Sequence, residues 1–451
     1  MLINPDIFKA YDVRGLYPGE INERVARLIG RGFAAYLQTS RIGVSRDMRV
    51  SSPALASAFI DGIREQGTDV IDYGMMGTDM LYFAVVRDDL GGGAQITASH
   101  NPKQYNGVKM VRAGAVPLSG DAGLGEIRDM IASDRLPPPA SRRGSISTRN
   151  VVSDYVEKVM SFIDPAAIAP FSVVLDAGSG MAGLTAPALF ERLPCKTTTL
   201  CFDIDGTFPN HEANPLIEEN RRDITAEVIR QRADIGIAWD GDADRCFFID
   251  GSGAFISGDF VTALLAEAFL LKHPGSTIIY DLRASHAVKD VVGRYGGRAL
   301  MNRVGHAFIK RRMRDEDAIF GGEVTGHYYF RDFYYADNGL IPALLILELM
   351  SKKHQSLRDL LQPFRERYFI SGEINTTLSS MREVPRKLAA IEARYSDAAI
   401  ATMDGLSVDY PDWHFNVRPS NTEPLLRLNL EAPSPALMEQ RRDEVLALIR
   451  G

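Results

Sequence analysis

The apolar residues of this chain repeat in two rhythms. Val25, Leu28, Ile29, Gly32 and Tyr36 recur at the spacing of one helix face, which predicts an amphipathic helix over residues 22–38, with Arg14 in a loop just ahead of it. A short run at residues 42–44 reads as a strand. Ser52 and Pro53 then supply an N-cap and a first-turn proline for a helix through about Ile63. A further strand is predicted at residues 70–73, and the alternation reaches a strand end at Gln95 and Ile96. Residues 134–150, rich in Pro, Ser and Arg, read as a linker.

The pattern then restarts. Residues 172–175 predict a buried strand running into a glycine turn, and residues 234–239 a second strand ending at Asp240. A helix over residues 260–271 and a strand over 277–280, ending at Asp281, make a third unit. After about residue 366 the texture changes to short spaced strands at 371–374, 406–410, 414–417 and 425–430, and Ser434 with Pro435 opens a last helix. The expected organisation is three consecutive α/β domains and a C-terminal α+β domain, divided as residues 1–148, 149–251, 252–365 and 366–451.

Composition narrows the function classes. The 451 residues, 45% hydrophobic and 24% charged, are ordinary for a globular multidomain chain. A net charge of −7 argues against a nucleic-acid partner, so a phosphorylated ligand must be held by local basic groups. The first residues have neither a basic nor an apolar leader segment, and the apolar stretch at 340–350 is too short to span a bilayer, so a cytoplasmic location without membrane association is expected. Cys195, Cys201 and Cys246 have no metal-type spacing and are expected to be free thiols in a reducing compartment.

Four clusters carry candidate chemistry. In Thr97-Ala98-Ser99-His100-Asn101-Pro102 a serine sits on a turn after an apolar strand, where its hydroxyl can meet a ligand. By itself this is an ordinary polar turn. Asp240-Gly241-Asp242-Ala243-Asp244-Arg245 places three carboxylates at alternating positions after a strand, a set of hard oxygen ligands for one divalent cation such as Mg²⁺. It is not an EF-hand loop, because Arg245 stands where glycine is needed and Gly251 where glutamate is needed. Gly321-Gly322-Glu323-Val324-Thr325-Gly326-His327 combines groups suited to sugar hydroxyls. Arg418-Pro419-Ser420-Asn421-Thr422-Glu423-Pro424 offers an anion nest. Arg14, Arg283, His306 and Lys310, each taken alone, read as surface salt-bridging groups.

With these four clusters in this order, the chain resembles the α-D-phosphohexomutases, from Lys9-Ala10-Tyr11-Asp12-Val13-Arg14-Gly15 almost to its end. The segments Asp205-Gly206-Thr207-Phe208-Pro209-Asn210-His211, His306-Ala307-Phe308-Ile309-Lys310 and His327-Tyr328-Tyr329-Phe330-Arg331-Asp332-Phe333 look most like the bacterial phosphomannomutase branch. The resemblance implies three α/β domains and a TATA-binding-protein-like C-terminal domain around a central cleft. It implies a cytoplasmic monomer or homodimer acting on a phosphorylated hexose, with Mg²⁺ as cofactor and a hexose 1,6-bisphosphate as activator.

In that reading Ser99 carries a phosphoryl group and, with Asp240, Asp242 and Asp244, holds the metal. Arg14, His100, Lys109 and Arg245 complete the catalytic set, and proton transfer falls to Lys109 and His327, because Arg283 stands where many relatives carry lysine and a guanidinium is no base near neutral pH. Arg283, Arg303, His306, Glu323, Thr325, His327, Arg418, Ser420, Asn421, Thr422 and Arg427 bind substrate. The expected activity interconverts mannose 6-phosphate and mannose 1-phosphate, supplying GDP-mannose for polysaccharide. Glucose phosphates as dual or primary substrates are the alternative. Asp203-Ile204-Asp205-Gly206-Thr207 also matches a phosphatase signature with Asp203 as phosphate acceptor, and a non-catalytic sugar-phosphate sensor is a third class.

Overall fold

In the computed structural model, residues 3–420 and 424–451 are described. They divide into two compact units, Met1–Ile256 with Gly305–Phe320 and Thr325–Leu357, and Ser257–Val304 with Gly321–Val324 and Arg358–Gly451.

The first unit begins with a mixed sheet built from β1 (Val13–Leu16), β2 (Arg41–Arg46), β3 (Asp69–Met75), β4 (Gly92–Ile96), β5 (Tyr105–Arg112), β6 (Val116–Pro117) and β7 (Ile146–Thr148). Its strand order is β1-β5-β4-β2-β3-β7, with β6 on β5. Strands β4, β2, β3 and β7 run parallel, while β5 is antiparallel to both β4 and β1. Helices α1 (Glu23–Leu37) and α2 (Ser52–Glu65) bury Ile29, Phe33, Phe59 and Ile63 in the core beside the sheet. Asn22 caps α1 by accepting from Val25 N at 3.1 Å.

Three local expectations change here. Arg14 lies on β1, opposite Gly107 of β5, and not in a loop. The cap of α2 is Ser51, with Ser52 the first helical residue, because the Ser52 hydroxyl donates to Asp47 Oδ1 at 2.5 Å instead. The stretch taken as linker contributes β7, which extends the parallel edge of the sheet.

A second sheet in this unit has the order β11-β10-β8-β9, from β8 (Ser172–Asp176), β9 (Lys196–Leu200), β10 (Ile235–Trp239) and β11 (Cys246–Asp250). Strands β8, β9 and β10 are parallel, and β10 turns back into antiparallel β11 with Trp239 opposite Cys246, so residues 240–245 form the connecting turn. Both the serine turn after β4 and this turn after β10 leave carboxyl ends of strands, where open α/β sheets present ligand-binding groups.

The second unit holds the parallel pair Thr277–Asp281 and Arg298–Asn302 and an antiparallel sheet of six strands ending in Leu425–Ala432, covered by the helix Pro435–Arg450. Ser434 caps that helix by accepting from Leu437 N at 3.3 Å. The strand expected at 371–374 is instead two strands, Phe369–Ile370 and Ile374–Thr377, separated where Gly372 takes φ +66°.

Candidate functional site

The serine turn is held from within the first sheet. Ser99 takes φ +51°, and its backbone N–H donates to Thr97 Oγ1 at 2.9 Å. Behind the turn lies Arg49, whose side chain is fully buried. Its guanidinium donates to the carbonyl oxygens of Ser99 (2.7 Å), Asn101 (2.6 Å), Pro102 (2.9 Å) and Tyr105 (3.1 Å), and to Asp47 Oδ2 at 3.2 Å. Arg14 reaches the turn from β1, donating to Asn101 Oδ1 and Asp12 Oδ2, each at 2.5 Å.

The turn after β10 meets this serine directly. Ser99 Oγ donates to Asp240 Oδ2 at 3.0 Å and lies 3.3 Å from His100 Nδ1. The backbones approach so closely that a Cβ on Gly241 would stand 2.8 Å from the Ser99 carbonyl oxygen, so this position admits only glycine without a shift. Burial, with Arg245 and Arg14 nearby, pushes the His100 imidazole well below its usual pKa, so it is neutral.

Asp240, Asp242 and Asp244 are buried, and each offers an oxygen within 4.8 Å of the others. Asp242 Oδ2 accepts from Lys109 Nζ at 2.7 Å and from the Thr78 hydroxyl, and Asp244 Oδ2 accepts from Lys109 Nζ at 2.5 Å. Asp242 Oδ1 is buried without a hydrogen-bond partner among the described residues. Burial, reinforced by Asp244 and Asp242, drives the Asp240 carboxyl well above the carboxylate range. Asp244 is held well below it: desolvation opposes, but Lys109 and then His327 outweigh it. An orphaned oxygen and a carboxylate whose charge is costly without a cation fit a hard divalent ion such as Mg²⁺. Burial lowers the Lys109 pKa, but Asp242 and Asp244 outweigh it and raise it, so Lys109 is a positive charge held between the two carboxylates.

Around this pair of turns the same unit gathers further groups. Arg245 Nε donates to His327 Nε2 at 3.2 Å, His327 Nε2 lies 3.4 Å from Asp244 Oδ1, and Thr325 Oγ1 lies 3.5 Å from His327 Nδ1. His306 stands edge-on to Tyr11, with ring centroids 4.6 Å apart, and neither ring nitrogen has a hydrogen-bond partner among the described residues. Lys310 is fully buried, 2.8 Å from Asp337 Oδ1 and 4.1 Å over the Tyr82 ring. His306 and Lys310 are thus interior groups and not surface salt-bridging ones. Arg14, with 17% of its side chain exposed, is also mostly covered.

The second unit holds the remaining basic groups. Arg283 is buried too, and it grips Asp281 through Nε (3.0 Å) and Nη2 (2.9 Å), with Glu323 Oε1 at 3.9 Å. Arg283, Arg418 and Arg427 lie 3.8, 3.3 and 3.3 Å from the one carboxylate of Glu373. Arg418 and Arg427 share one carboxylate with Arg283, and among the described residues their buried Nε atoms have no hydrogen-bond partner, which suits an anion. Ser420 is buried at the end of the strand His414–Pro419, and Arg303 is exposed just past Arg298–Asn302. Asn421 and Thr422 lie outside the described residues.

Arg49, Thr78, Asp337 and Glu373 had been assigned no role from the sequence. Only the Arg46-Asp47-Met48-Arg49 charge cluster after a strand hinted at one of them. The phosphatase-type aspartate, Asp203, is exposed in a loop, while Asp205 Oδ1 accepts from Thr207 N at 2.8 Å as in an ordinary polar turn.

Comparison with known proteins identifies the family. Four stretches match the family descriptions "Phosphoglucomutase/phosphomannomutase, alpha/beta/alpha domain I" (residues 5–136), domain II (153–253), domain III (257–368) and "C-terminal domain" (374–448). A phosphomannomutase of Escherichia coli is 44% identical, covering 98% of this chain and 99% of that protein. A protein of Xanthomonas campestris pv. campestris named "Phosphohexose mutases" is 43% identical over 98% of this chain and 99% of its own. The crystal structure of a phosphoglucomutase/phosphomannomutase family protein from Burkholderia thailandensis superposes with a TM-score of 0.89 at 33% identity, covering 99% of this chain and 98% of that one. With three α/β domains, a C-terminal fourth domain and relatives matched over nearly its whole length, the chain belongs to the phosphoglucomutase/phosphomannomutase family, the α-D-phosphohexomutases, which are intramolecular phosphotransferases of the isomerase class.

Proposed function

We propose that the enzyme interconverts mannose 6-phosphate and mannose 1-phosphate through phospho-Ser99 and a hexose 1,6-bisphosphate. The phosphoryl group leaves Ser99 Oγ as the free hydroxyl of the bound hexose phosphate forms its own bond to phosphorus, and the proton of that hydroxyl passes through the general acid–base group to Ser99 Oγ. The bisphosphate then turns end for end, and its other phosphoryl group returns to Ser99, whose hydroxyl proton goes to the departing sugar oxygen.

The observation that carries this reading is Ser99 Oγ on Asp240, beside Asp242 and Asp244, with a buried carboxylate oxygen left unpartnered. Asp240, Asp242 and Asp244 would hold Mg²⁺, which supplies charge neutralisation for in-line phosphoryl transfer. Lys109 and Arg245 add positive charge, Arg14 and Arg49 hold the turn, and neutral His100 places a ring nitrogen beside the hydroxyl. Proton transfer is assigned to Lys109 and His327, Lys109 standing on Asp242 and Asp244, two of the proposed metal ligands. His306 and Thr325 are proposed as substrate-binding residues of the first unit, and Arg283, Arg303, Glu323, Arg418, Ser420, Asn421, Thr422 and Arg427 as those of the second.

The domain limits proposed for this machinery are 1–148, 149–251, 252–365 and 366–451. Mannose and glucose phosphates differ at the C2 hydroxyl, and comparing kcat/KM for mannose 1-phosphate and glucose 1-phosphate separates a dedicated from a dual-specificity enzyme. Supply of GDP-mannose for polysaccharide is the physiological role proposed.

The decisive experiment phosphorylates the protein with labelled hexose 1,6-bisphosphate. The label should resist hydroxylamine and be absent from Ser99→Ala, which should lose nearly all turnover. A hydroxylamine-labile label would assign the chemistry to an aspartate instead, and near-wild-type turnover by Ser99→Ala would refute the phosphoserine.

A further inference from the structure

A second set of ligand atoms, sharing no residue with the aspartate triplet, lies at the carboxyl ends of two neighbouring parallel strands. Asp176 closes β8, Cys201 directly follows β9 with Leu200 in register with Asp176, and His211 comes from the loop beyond. His211 Nε2 stands 3.0 Å from Asp176 Oδ2 and 3.7 Å from Cys201 Sγ, and one donor atom from each residue lies within 4.8 Å of the others.

Each ligand is also oriented from behind. Asp176 Oδ1 accepts from Gly178 N at 2.9 Å, and His211 Nδ1 lies 3.0 Å from the Glu212 carbonyl oxygen. A carbonyl only accepts, so Nδ1 carries a proton and Nε2 faces a carboxylate oxygen and a sulfur; burial opposes a charge on the ring, but Asp176 and Cys201 outweigh it and raise the His211 pKa to about 11, so without a metal ion a proton stands between Nε2 and Asp176. Atoms so disposed repel unless a cation, a proton or a metal ion, stands among them.

The spacing suits a metal. Tetrahedral zinc with Zn–S about 2.3 Å and Zn–N about 2.0–2.1 Å places sulfur and nitrogen about 3.6 Å apart, and nitrogen and oxygen about 3.4 Å apart. The sulfur–nitrogen distance already matches, and the nitrogen–oxygen distance needs only a slight opening. A histidine whose other N–H is on a backbone carbonyl and a carboxylate held by a backbone amide are the surroundings that fix metal ligands. One sulfur, one nitrogen and one oxygen favour a borderline-soft ion over Mg²⁺.

We infer that Asp176, Cys201 and His211 form a site for a divalent transition-metal ion of the Zn²⁺ type, with water completing four-fold coordination. On binding, the ion displaces the proton that His211 Nε2 shares with Asp176 Oδ2, the Cys201 thiol proton also leaves to solvent, and the sulfur–metal bond forms on the thiolate. The ion would pin residues 201–211. In that loop a Cβ on Gly206 would stand 2.3 Å from the Met48 carbonyl oxygen, and Phe208 lies 5.5 Å from the Arg49 guanidinium that holds the serine turn. The site thereby stiffens the support of Ser99 without touching substrate.

Full-length protein, reduced with a phosphine and kept in saturating Mg²⁺ to occupy oxygen-only sites, is titrated with Co²⁺ and read for thiolate-to-cobalt charge-transfer absorption. The band is expected at one equivalent in wild type and in Cys195→Ser, bleached by Zn²⁺, and lost in Cys201→Ser. No band in wild type, or an undiminished band in Cys201→Ser, overturns the site. Alkylation of wild type followed by mass spectrometry gives an independent reading: Zn²⁺ should protect Cys201 and leave Cys195 reactive, and equal labelling of Cys201 with and without Zn²⁺ also overturns it.

Discussion

Replacing Arg49 by lysine should cost this enzyme both stability and rate, because one buried side chain organises the whole serine turn. Its guanidinium makes five hydrogen bonds, four to the carbonyl oxygens of Ser99, Asn101, Pro102 and Tyr105 and one to Asp47. An ammonium has three donors on a single atom and cannot span that fan. Losing two bonds to a charged donor, at about 1.5–3 kcal/mol each, puts the cost at about 3–6 kcal/mol. The freed turn carries Ser99, and a misplacement of about 1 Å at a reacting group costs about 100-fold in rate.

Urea unfolding followed by far-UV circular dichroism measures the first effect, and kcat with mannose 1-phosphate the second. In Arg49→Met, Asp47 is left buried and unpaired, so adding Asp47→Asn should restore part of the stability but none of the lost rate. A lysine variant losing under about 1 kcal/mol and under threefold in kcat would refute the reasoning.

Chelation with EDTA should abolish turnover and Mg²⁺ should restore it, while Asp242→Asn should shift the Mg²⁺ half-saturation upward at least tenfold, about 1.4 kcal/mol, since it loses a charged oxygen ligand. An unchanged Mg²⁺ dependence would remove Asp242 from the ligand set. Arg418→Ala should raise KM for the hexose phosphate about 10- to 100-fold with a smaller effect on kcat, the worth of one charge-assisted hydrogen bond of about 1.5–3 kcal/mol; an unaltered KM would contradict an anion site there. Asp259 is pushed up to about 6 by burial, partly offset by its hydrogen bonds, among them those from Ser285 N and Phe260 N. Between the unfolded value of about 3.9 and the folded one the native state holds the extra proton, so stability must fall as pH rises through that window, by about 2–3 kcal/mol. Asp259→Asn should flatten this slope in urea midpoints taken from pH 4 to 7, and an equal slope in both proteins would rule the group out.

Some of this architecture was legible residue by residue. The helix Glu23–Leu37 announced itself through its apolar spacing, and the last helix through Ser434 and Pro435, because caps and amphipathic faces are short-range properties. The serine and aspartate turns were equally visible, since each is a compact run of chemically specialised residues following a strand. The strand expected at 371–374 was displaced because apolar residues near a glycine did not indicate where the chain would break. Arg14 was expected in a loop because β1 is only four residues long and owes its strand character to pairing with β5, far along the chain.

The amino-acid order alone therefore determined the capped and amphipathic helices, the α/β texture, the four chemical clusters and the family resemblance. Folding decided which charges neutralise one another: Lys109 between Asp242 and Asp244, Lys310 with Asp337, three arginines on Glu373, and Arg49 beneath the serine. Such pairings join residues tens to hundreds of positions apart, and a charged residue reads the same in sequence whether water or a buried partner compensates it. Only burial makes the difference matter, because a charge removed from water must find its counterpart within a few ångströms.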